Sequence, residues 1–341
     1  MSNVRRVRRL RGPVMASAAV TALALTASGC VTVHGEREIV PNATKSEAER
    51  ALKDFLKAYN AADKAYDPAL DAPRITGPLG AINQGGLKSR RVQHPDGNAG
   101  HVPLELTDAT YSIPKQAGWP RWFMADTKAN RRSDLRWLWV FTKSGPDQLW
   151  RATYLNLVSP RKMPELKKDA DGWAVPVAPT AKDLAMAPTD LGRQYTTYLK
   201  SGGDGFAPGD HTTRWKAFRE RNSKRAGLAV QYVDEPRNDG AFAPLGLRTE
   251  DGGALMFFST HHYEKQTAFK GLSPKVDADA KALLKGTVRQ TIMLERVSNQ
   301  VVVDPKKNAR GAEGADGAKG ADGGKVAFLG RIQGLTGAKG D

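Results

Sequence analysis

Two adjacent histidines, His261 and His262 in the segment MFFSTHHYEK, are the residues best suited to acid–base or metal chemistry. Successive side chains of a β-strand point to opposite faces, so both imidazoles cannot ligate one metal ion from a regular strand. His262 shares its face with Glu264, and such a pair could handle protons. The simpler interpretation is that one histidine is packed and the other is solvated.

The remaining chemistry-bearing residues form no recognised catalytic pattern. His94, Asp96 and His101 could converge on a cation, but their spacing matches no zinc pattern and favours a polar surface loop. The nucleophile elbow, the phosphate loop and the metalloprotease motif are absent, and GADGGKV fails the phosphate-loop spacing. We therefore predict no metal, no cofactor and no catalytic residue, although absence of a motif does not exclude an enzyme.

Tryptophans are concentrated in one part of the chain, where five of the seven fall within 32 residues. These five are Trp119, Trp122, Trp137, Trp139 and Trp150. They could stack on a sugar ring or a lipid-like ligand in a pocket, or they could be the large core residues of a curved sheet. We favour the core, and keep Trp137, Trp139 and Trp150 as candidate pocket residues.

The segment RWKAFRERNSKRAG predicts a basic amphipathic helix that docks by its aromatic side, through Trp215 and Phe218. Its basic residues are Arg214, Lys216, Arg219, Arg221, Lys224 and Arg225. This face is either simply solvated or contacts an anionic surface. Lys216 and Arg219 are the candidate contact residues.

The formal net charge of +16 indicates an anionic partner. Five arginines lie in the first 29 residues, which contain no acidic residue, so the rest of the chain carries +11. This charge favours phospholipid headgroups, cell-wall polyanions or nucleic acid without choosing among them. The fractions of hydrophobic residues (40%) and charged residues (26%) are those of an ordinary globular protein.

The single cysteine, Cys30, follows a basic block and an apolar run of 14 residues from Val14 to Ala27. This run is too short to span a bilayer but fits the core of a secretory signal. Ala27-Ser28-Gly29-Cys30 resembles the lipobox of bacterial lipoproteins, although Ala27 stands where leucine is usual. The resemblance implies that Cys30 carries acyl chains such as palmitate on the extracytoplasmic face of the cell membrane. The alternative is a secreted protein with a buried free cysteine; export in either form argues against nucleic acid as the partner.

Two helix-then-strand cycles follow the signal. Ser46 and Glu49 predict a capping box for a helix that turns Leu52, Phe55 and Tyr59 inward. The glycine- and proline-rich residues 68–103 predict turns. The segments DLRWLWVFTK and QLWRATYLNLV predict a hairpin around 144–147 with both faces covered, by Trp137, Trp139 and Phe141 on one side and Leu138 and Val140 on the other.

The second cycle predicts helices at 191–200 and 213–225 and strands at 228–233, 254–263, 288–297 and 301–303. The fold class is α+β, with two related units that each pack a leading helix on a curved antiparallel sheet. The helix LKDFLKAYNAADKAYD and the element order resemble the nuclear transport factor 2-like cone fold. Residues 45–335 also resemble an uncharacterised lipoprotein domain family of high-GC bacteria, a resemblance that implies location and architecture but no activity.

Glycine recurs at every third position of GAEGADGAKGADGGK, from 311 to 323, and imitates collagen. The run lacks proline and is too short for a stable triple helix. NQVVVDP and KVAFLGRIQGL on either side predict antiparallel strands, so the run is predicted as a disordered insertion in their loop. The predicted organisation is a signal peptide (1–29), a lipidated tether (30–44), a first domain (45–178), a second domain (179–335) with the insertion at 305–325, and a tail (336–341).

Three functions from different classes are compatible with these features. The first is a membrane-anchored extracytoplasmic lipoprotein that binds or scaffolds without catalysis, with membrane lipid, an anionic envelope polymer or a protein as partner. The second is a ligand carrier or enzyme that uses a cone pocket. The third is a charge-driven contact with cell wall or membrane. An open cavity lined by aromatic residues and a buried histidine or carboxylate would favour the second, and cones filled by tryptophan would favour the first.

Overall fold

The computed structural model describes residues 38–308 and 324–341. The signal segment with Cys30 and the glycine run of 309–323 lie outside this range. The helices are α1 (Lys45–Ala65), α2 (Gly77–Gln93), α3 (Leu191–Ser201), α4 (Thr213–Asn222) and α5 (Ala278–Ala282). The strands are β1 (Val40–Pro41), β2 (Leu106–Ser112), β3 (Lys115–Gln116), β4 (Arg121–Ala129), β5 (Arg136–Lys143), β6 (Arg151–Val158), β7 (Lys224–Arg225), β8 (Leu228–Arg237), β9 (Leu245–Arg248), β10 (Ala254–Ala268), β11 (Leu284–Lys285), β12 (Thr291–Asp304) and β13 (Ala327–Gly340).

Three sheets are present in the described residues. A four-stranded sheet has the order β2-β4-β5-β6, and a seven-stranded sheet has the order β11-β13-β12-β10-β8-β7 with β9 paired to β10. Strands β1 and β3 form a small third sheet. All pairs are antiparallel except β11 with β13. The predicted α+β class is confirmed, and no helix of the described residues is long and apolar enough to cross a bilayer.

Helix α1 packs on the four-stranded sheet through the face that the sequence predicts. Phe55 is fully buried, with its ring 5.1 Å from that of Trp139 and 5.7 Å from that of Phe141. The predicted cap is wrong, because the capping box is formed two residues earlier by Thr44 and Glu47. The Thr44 hydroxyl accepts the Glu47 N–H, and the Glu47 carboxylate accepts the Thr44 N–H, so both donors are satisfied.

The two large sheets share one hydrophobic core. Leu138 and Val140 point away from α1 and pack with Leu255, Phe257 and Val301 of the seven-stranded sheet. The other face of that sheet is covered by α3. The layers are therefore α1, four-stranded sheet, seven-stranded sheet and α3. Each half is a helix on a sheet, while the cone shape, the kinship of the two units and the boundary at residue 178 stay predictions.

Helix α2 is an element that the sequence analysis missed, since residues 68–103 were expected to form turns. Its glycines lower helix propensity, but they also let the backbone approach a neighbouring strand closely. A Cβ atom at Gly85 would lie 2.5 Å from the carbonyl oxygen of Leu335 in β13. Tertiary packing on β13 therefore outweighs local propensity here.

The C-terminal elements are longer than predicted. Strand β12 is one strand where two were expected, and β13 includes residues 336–340, which were predicted as a tail. The carboxylate of Asp341 fixes the end of the chain by accepting backbone N–H bonds. The donors are Arg289, Gln290 and Thr291, at 2.9, 3.1 and 3.2 Å. Strands β12 and β13 are antiparallel neighbours, as their sequences predict.

Candidate functional site

A pocket of about 260 Å³ lies where α4 crosses the seven-stranded sheet. Helix α4 contributes Trp215, Phe218 and Arg219, and strands β8, β10, β12 and β13 contribute the rest of the wall. The strand residues used below are Tyr232, His262, Glu264, Arg296 and Gln333. Aromatic and charged side chains are thus combined in one concave site, which is the usual character of a small-molecule pocket.

Arg219 anchors α4 to the sheet by a bidentate ion pair with Asp234 of β8. Its Nη1 and Nη2 atoms lie 2.6 and 2.9 Å from the two carboxylate oxygens of Asp234. The side chains are only 7% and 6% exposed, so the pair is desolvated and each charge depends on the other. The sequence predicted that Trp215 and Phe218 would dock the helix, but Phe218 is 42% exposed and Arg219 is the buried residue.

His262 lies between Asp234 and a set of hydroxyl groups. Its Nδ1 contacts Oδ1 of Asp234, the residue directly opposite in the β8–β10 register. Because a carboxylate only accepts, Nδ1 carries the proton and Nε2 is left as an acceptor. Nε2 lies 2.6 Å from the Ser298 hydroxyl, 2.9 Å from the Thr260 hydroxyl and 3.2 Å from Nη2 of Arg331.

The charges of this cluster follow from burial and from the two arginines. Burial lowers the pKa of His262 to about 4; the hydrogen bond to Asp234 opposes this shift and the Arg331 charge adds to it. Burial alone would raise the pKa of Asp234, but hydrogen bonds from His262 and Arg219 lower it to about 2. At neutral pH the imidazole is therefore neutral and the carboxylate is ionised.

Asp234, His262 and Ser298 have the hydrogen-bond order of a serine-hydrolase triad. Ser298 is nevertheless fully buried and does not line the pocket. Its hydroxyl accepts a 2.7 Å hydrogen bond from Gln300 Nε2 and donates to His262. In this conformation a substrate in the pocket cannot reach the Ser298 hydroxyl. The role of this hydroxyl is to complete the hydrogen bonding of the imidazole.

Positive charge exceeds negative charge around the pocket. The guanidinium carbons of Arg219 and Arg331 lie 5.1 and 4.9 Å from the ring centre of Trp215. Arg331 donates to His262 and Gln333, and it forms no ion pair with any carboxylate of the described residues. Arg296 is paired with Glu264 at 3.0 Å. Three guanidinium groups therefore accompany two carboxylates, Asp234 and Glu264; Arg219, Arg296 and Glu264 line the pocket, and Arg331 and Asp234 lie behind its wall.

Two donor groups of the wall have no acceptor among the described residues, namely Arg219 Nε and Trp215 Nε1. A buried N–H group without a partner costs free energy, because it has lost its hydrogen bond to water. Neither N–H group is accessible from the pocket in this conformation, so it is the excess positive charge that favours a ligand carrying negative charge.

The structure brings together two of the six candidate residues, His262 and Arg219. Lys216 pairs with Glu220 on α4 and does not line this pocket. Trp137 and Trp139 lie in the core, 8% and 1% exposed. Trp150 lies at a second pocket of about 420 Å³ near the start of α1.

Three other histidines of the described residues stand apart from this site. His261 points to the opposite face from His262, as the strand period predicts, and packs on Tyr263 with ring centres 4.4 Å apart. His101 contacts Asp63 at 3.0 Å, while His94 packs on Tyr66. In the described part of the chain, no group of three potential ligands (histidine, cysteine, aspartate or glutamate) could hold a metal ion.

Comparison with known proteins covers nearly the whole chain. The family described as "Domain of unknown function (DUF8094)" matches residues 39–340. An uncharacterized lipoprotein of Streptomyces coelicolor is 53% identical over 99% of this chain and 98% of its own length. An uncharacterized lipoprotein of Streptomyces avermitilis is 51% identical over 96% and 95%, and a second from Streptomyces coelicolor is 26% identical over 90% and 92%. No solved structure matches the chain.

Proposed function

Because the chain belongs to the DUF8094 family and its relatives are named lipoproteins, we propose that it is a lipid-anchored binding protein of the extracytoplasmic membrane face. Its anchor is a diacylglycerol joined to the sulfur of Cys30 by a thioether bond. Its binding site is the pocket of Arg219 and His262, and its ligand is a small carboxylate or phosphate compound with an apolar part, bound without catalysis.

The anchor rests on the sequence Ala27-Ser28-Gly29-Cys30 after a signal core. Two acyl chains hold a protein on a bilayer far more firmly than one, since each buried methylene contributes about 0.8 kcal/mol. Cys30→Ala should abolish labelling with a radioactive fatty acid. Unchanged labelling of this variant would refute the anchor.

The observation that carries the ligand proposal is an arginine charge without a carboxylate partner beside an open pocket. Arg219 is 6% exposed and is paired with Asp234, whereas the neighbouring charge of Arg331 is not neutralised by a carboxylate of the described residues. Burial makes the Arg331 charge more effective, because little water remains to screen it. The rings of Trp215 and Tyr232 offer apolar surface for the remainder of the ligand.

This arrangement favours ligand binding over the two other functions considered from the sequence. A purely structural scaffold has no need of an uncompensated guanidinium beside an open pocket. At this pocket, a charge-driven surface contact would use exposed cations, whereas Arg219 is buried and Arg296 is only 25% exposed.

Calorimetric titration with phenyl phosphate, benzoate and neutral benzyl alcohol tests the ligand class. We expect both anions to bind and the alcohol not to bind. The double variant Arg296→Gln/Glu264→Gln removes one cation and one anion from the wall at unchanged net charge. Loss of a charged hydrogen bond costs about 1.5 to 3 kcal/mol, so affinity should fall at least about tenfold.

The matched control is Lys216→Gln/Glu220→Gln, which removes the equivalent ion pair of α4 outside the pocket. Its affinity for both anions should equal that of the wild type. If benzyl alcohol binds as tightly as the anions, if no probe binds, or if the two double variants lose affinity equally, the pocket is not an anion site.

A further inference from the structure

The second pocket lies where the tether joins the folded chain. It is formed in part by β1 at Val40, by Trp119, by Trp150 and by the basic residues Arg121 and Lys143. Val40 is fixed there, because β1 pairs with β3 in the register Val40 to Gln116. We call Ile39, Trp119, Arg121, Lys143, Leu149 and Trp150 the tether-side surface.

Covalent geometry limits the distance between this surface and an anchored Cys30. Val40 lies ten residues after Cys30. At about 3.3 to 3.6 Å per residue, an extended chain of that length reaches at most about 36 Å. If Cys30 is anchored, the end of the molecule that carries Val40 is therefore held near the bilayer, whatever path the tether takes.

The tether-side surface combines exposed apolar groups with cations. Ile39 and Leu149, the chain neighbours of the pocket residues Val40 and Trp150, are 69% and 47% exposed. The cationic groups of Arg121 and Lys143 lie 4.7 and 5.7 Å from the ring centre of Trp119. Tryptophan beside lysine and arginine is the combination enriched at the interface between membrane and water.

The two cations of this surface form no ion pair within the described residues, although the carboxylate of Glu47 lines the same pocket. Arg121 and Lys143 face each other across β4 and β5. Neither forms an ion pair with a carboxylate of residues 38–308 and 324–341, and Arg121 Nε is buried without a partner there. A cation near an anionic membrane surface contributes about 1 kcal/mol to binding.

We propose that the tether-side surface binds the anionic headgroups of the membrane in which Cys30 is anchored, and so fixes the orientation of the folded part. Arg121 and Lys143 contact the headgroup phosphates, while Trp119 and the exposed Ile39 and Leu149 enter the interfacial layer. The inference uses the anchor of the proposed function to place this end near the bilayer. The pocket of Arg219 then lies on a separate part of the molecule, formed by the second half of the chain.

Vesicle sedimentation of the mature chain, residues 30–341 with Cys30→Ala, tests this binding without the lipid anchor. The chain should bind vesicles that contain phosphatidylglycerol, less so at high salt, and should not bind pure phosphatidylcholine. Arg121→Glu/Lys143→Glu should weaken binding at least about tenfold, since two contacts of about 1 kcal/mol each are lost and reversed. Trp119→Ala should also weaken vesicle binding, although it leaves the net charge of the protein unchanged.

The matched control is Lys270→Glu/Lys285→Glu, the same change of charge at two exposed lysines elsewhere. This control should reduce binding less than about twofold. If circular dichroism shows that the charge-reversal variant is misfolded, the milder pair Arg121→Gln/Lys143→Gln replaces it. Equal loss in the control, binding to phosphatidylcholine, or no binding of the parent chain would overturn the proposal. Failure of the anchor itself would appear separately, as unchanged fatty-acid labelling of Cys30→Ala in cells.

Discussion

His262 Nε2 and Ser298 Oγ lie 2.6 Å apart across strands β10 and β12, with Asp234 at the other ring nitrogen. This is the connectivity of a hydrolytic triad, yet only the histidine lines the pocket. Ser298 is fully buried and also accepts a hydrogen bond from Gln300. The contact therefore stabilises a neutral imidazole in one tautomer and does not present a nucleophile.

The buried position of Ser298 predicts that it does not react with a fluorophosphonate probe. Mass spectrometry of the treated protein should find no adduct at Ser298, while an active serine hydrolase in the same reaction is labelled. Ser298→Ala should destabilise the fold by about 1 to 3 kcal/mol, because buried polar atoms of His262 and Gln300 lose a partner. Labelling of the wild type that disappears in Ser298→Ala would instead identify an enzyme.

Asp304, at the end of β12, should make stability fall as the pH rises. Its carboxyl group is fully buried and accepts the Met186 N–H at 3.2 Å, and burial raises its pKa to about 7. Between about pH 4 and pH 7 the folded state keeps a proton that the unfolded state releases, so the free energy of unfolding decreases through this window.

Asp304→Asn removes this titration while keeping the size of the side chain. Urea unfolding gives the free energy of unfolding of both proteins at pH 5 and pH 8. The variant minus wild-type difference should be about 2 to 3 kcal/mol larger at pH 8 than at pH 5, since one pKa unit corresponds to about 1.4 kcal/mol. Other titrating groups, such as His262, are common to both proteins and cancel in the difference. If the variant and the wild type differ in free energy of unfolding by the same amount at both pH values, Asp304 is ionised in the folded state throughout this range.

The core position of Phe55 predicts a large loss of stability on truncation. Its ring is fully buried and packs on Trp139 and Phe141. Phe55→Ala should lower the free energy of unfolding by about 3 to 5 kcal/mol, measured in urea. Lys57→Ala, on the exposed face of α1, should change it by less than about 0.5 kcal/mol. A loss below about 1 kcal/mol for Phe55→Ala would contradict the packing of this helix.

Elements with a clear hydrophobic period were predictable from the sequence. The alternation of Trp139 and Phe141 with Leu138 and Val140 predicts a strand covered on both faces, and the structure places α1 on one face and the second sheet on the other. Helix α2 was not predictable in this way. Gly85 weakens the helix locally, and its close approach to β13 involves residues about 250 positions later.

The candidate site was predictable only in part, for a related reason. The sequence identifies His262 as a candidate because an imidazole suits acid–base chemistry, and Arg219 because it belongs to the predicted basic helix. Asp234 completes the cluster because the β8–β10 register sets it opposite His262. Register depends on the packing of whole strands, and no local pattern in a single sequence specifies it across 28 residues. Arg331 and Ser298 join the site through the same pairing of distant strands.

The last prediction concerns residues 309–323, which lie outside the described residues and between two strands that pair. Val303 of β12 is opposite Ala327 of β13, so the chain must return within the intervening loop. The entropy of closing a loop changes by only about 0.6 kcal/mol for each doubling of its length. Replacing 309–323 by a short glycine–serine linker should therefore change the free energy of unfolding by less than about 1 kcal/mol. Light scattering should find the same molar mass for both proteins, whereas a trimer that dissociates on replacement would show that the glycine run assembles as collagen does.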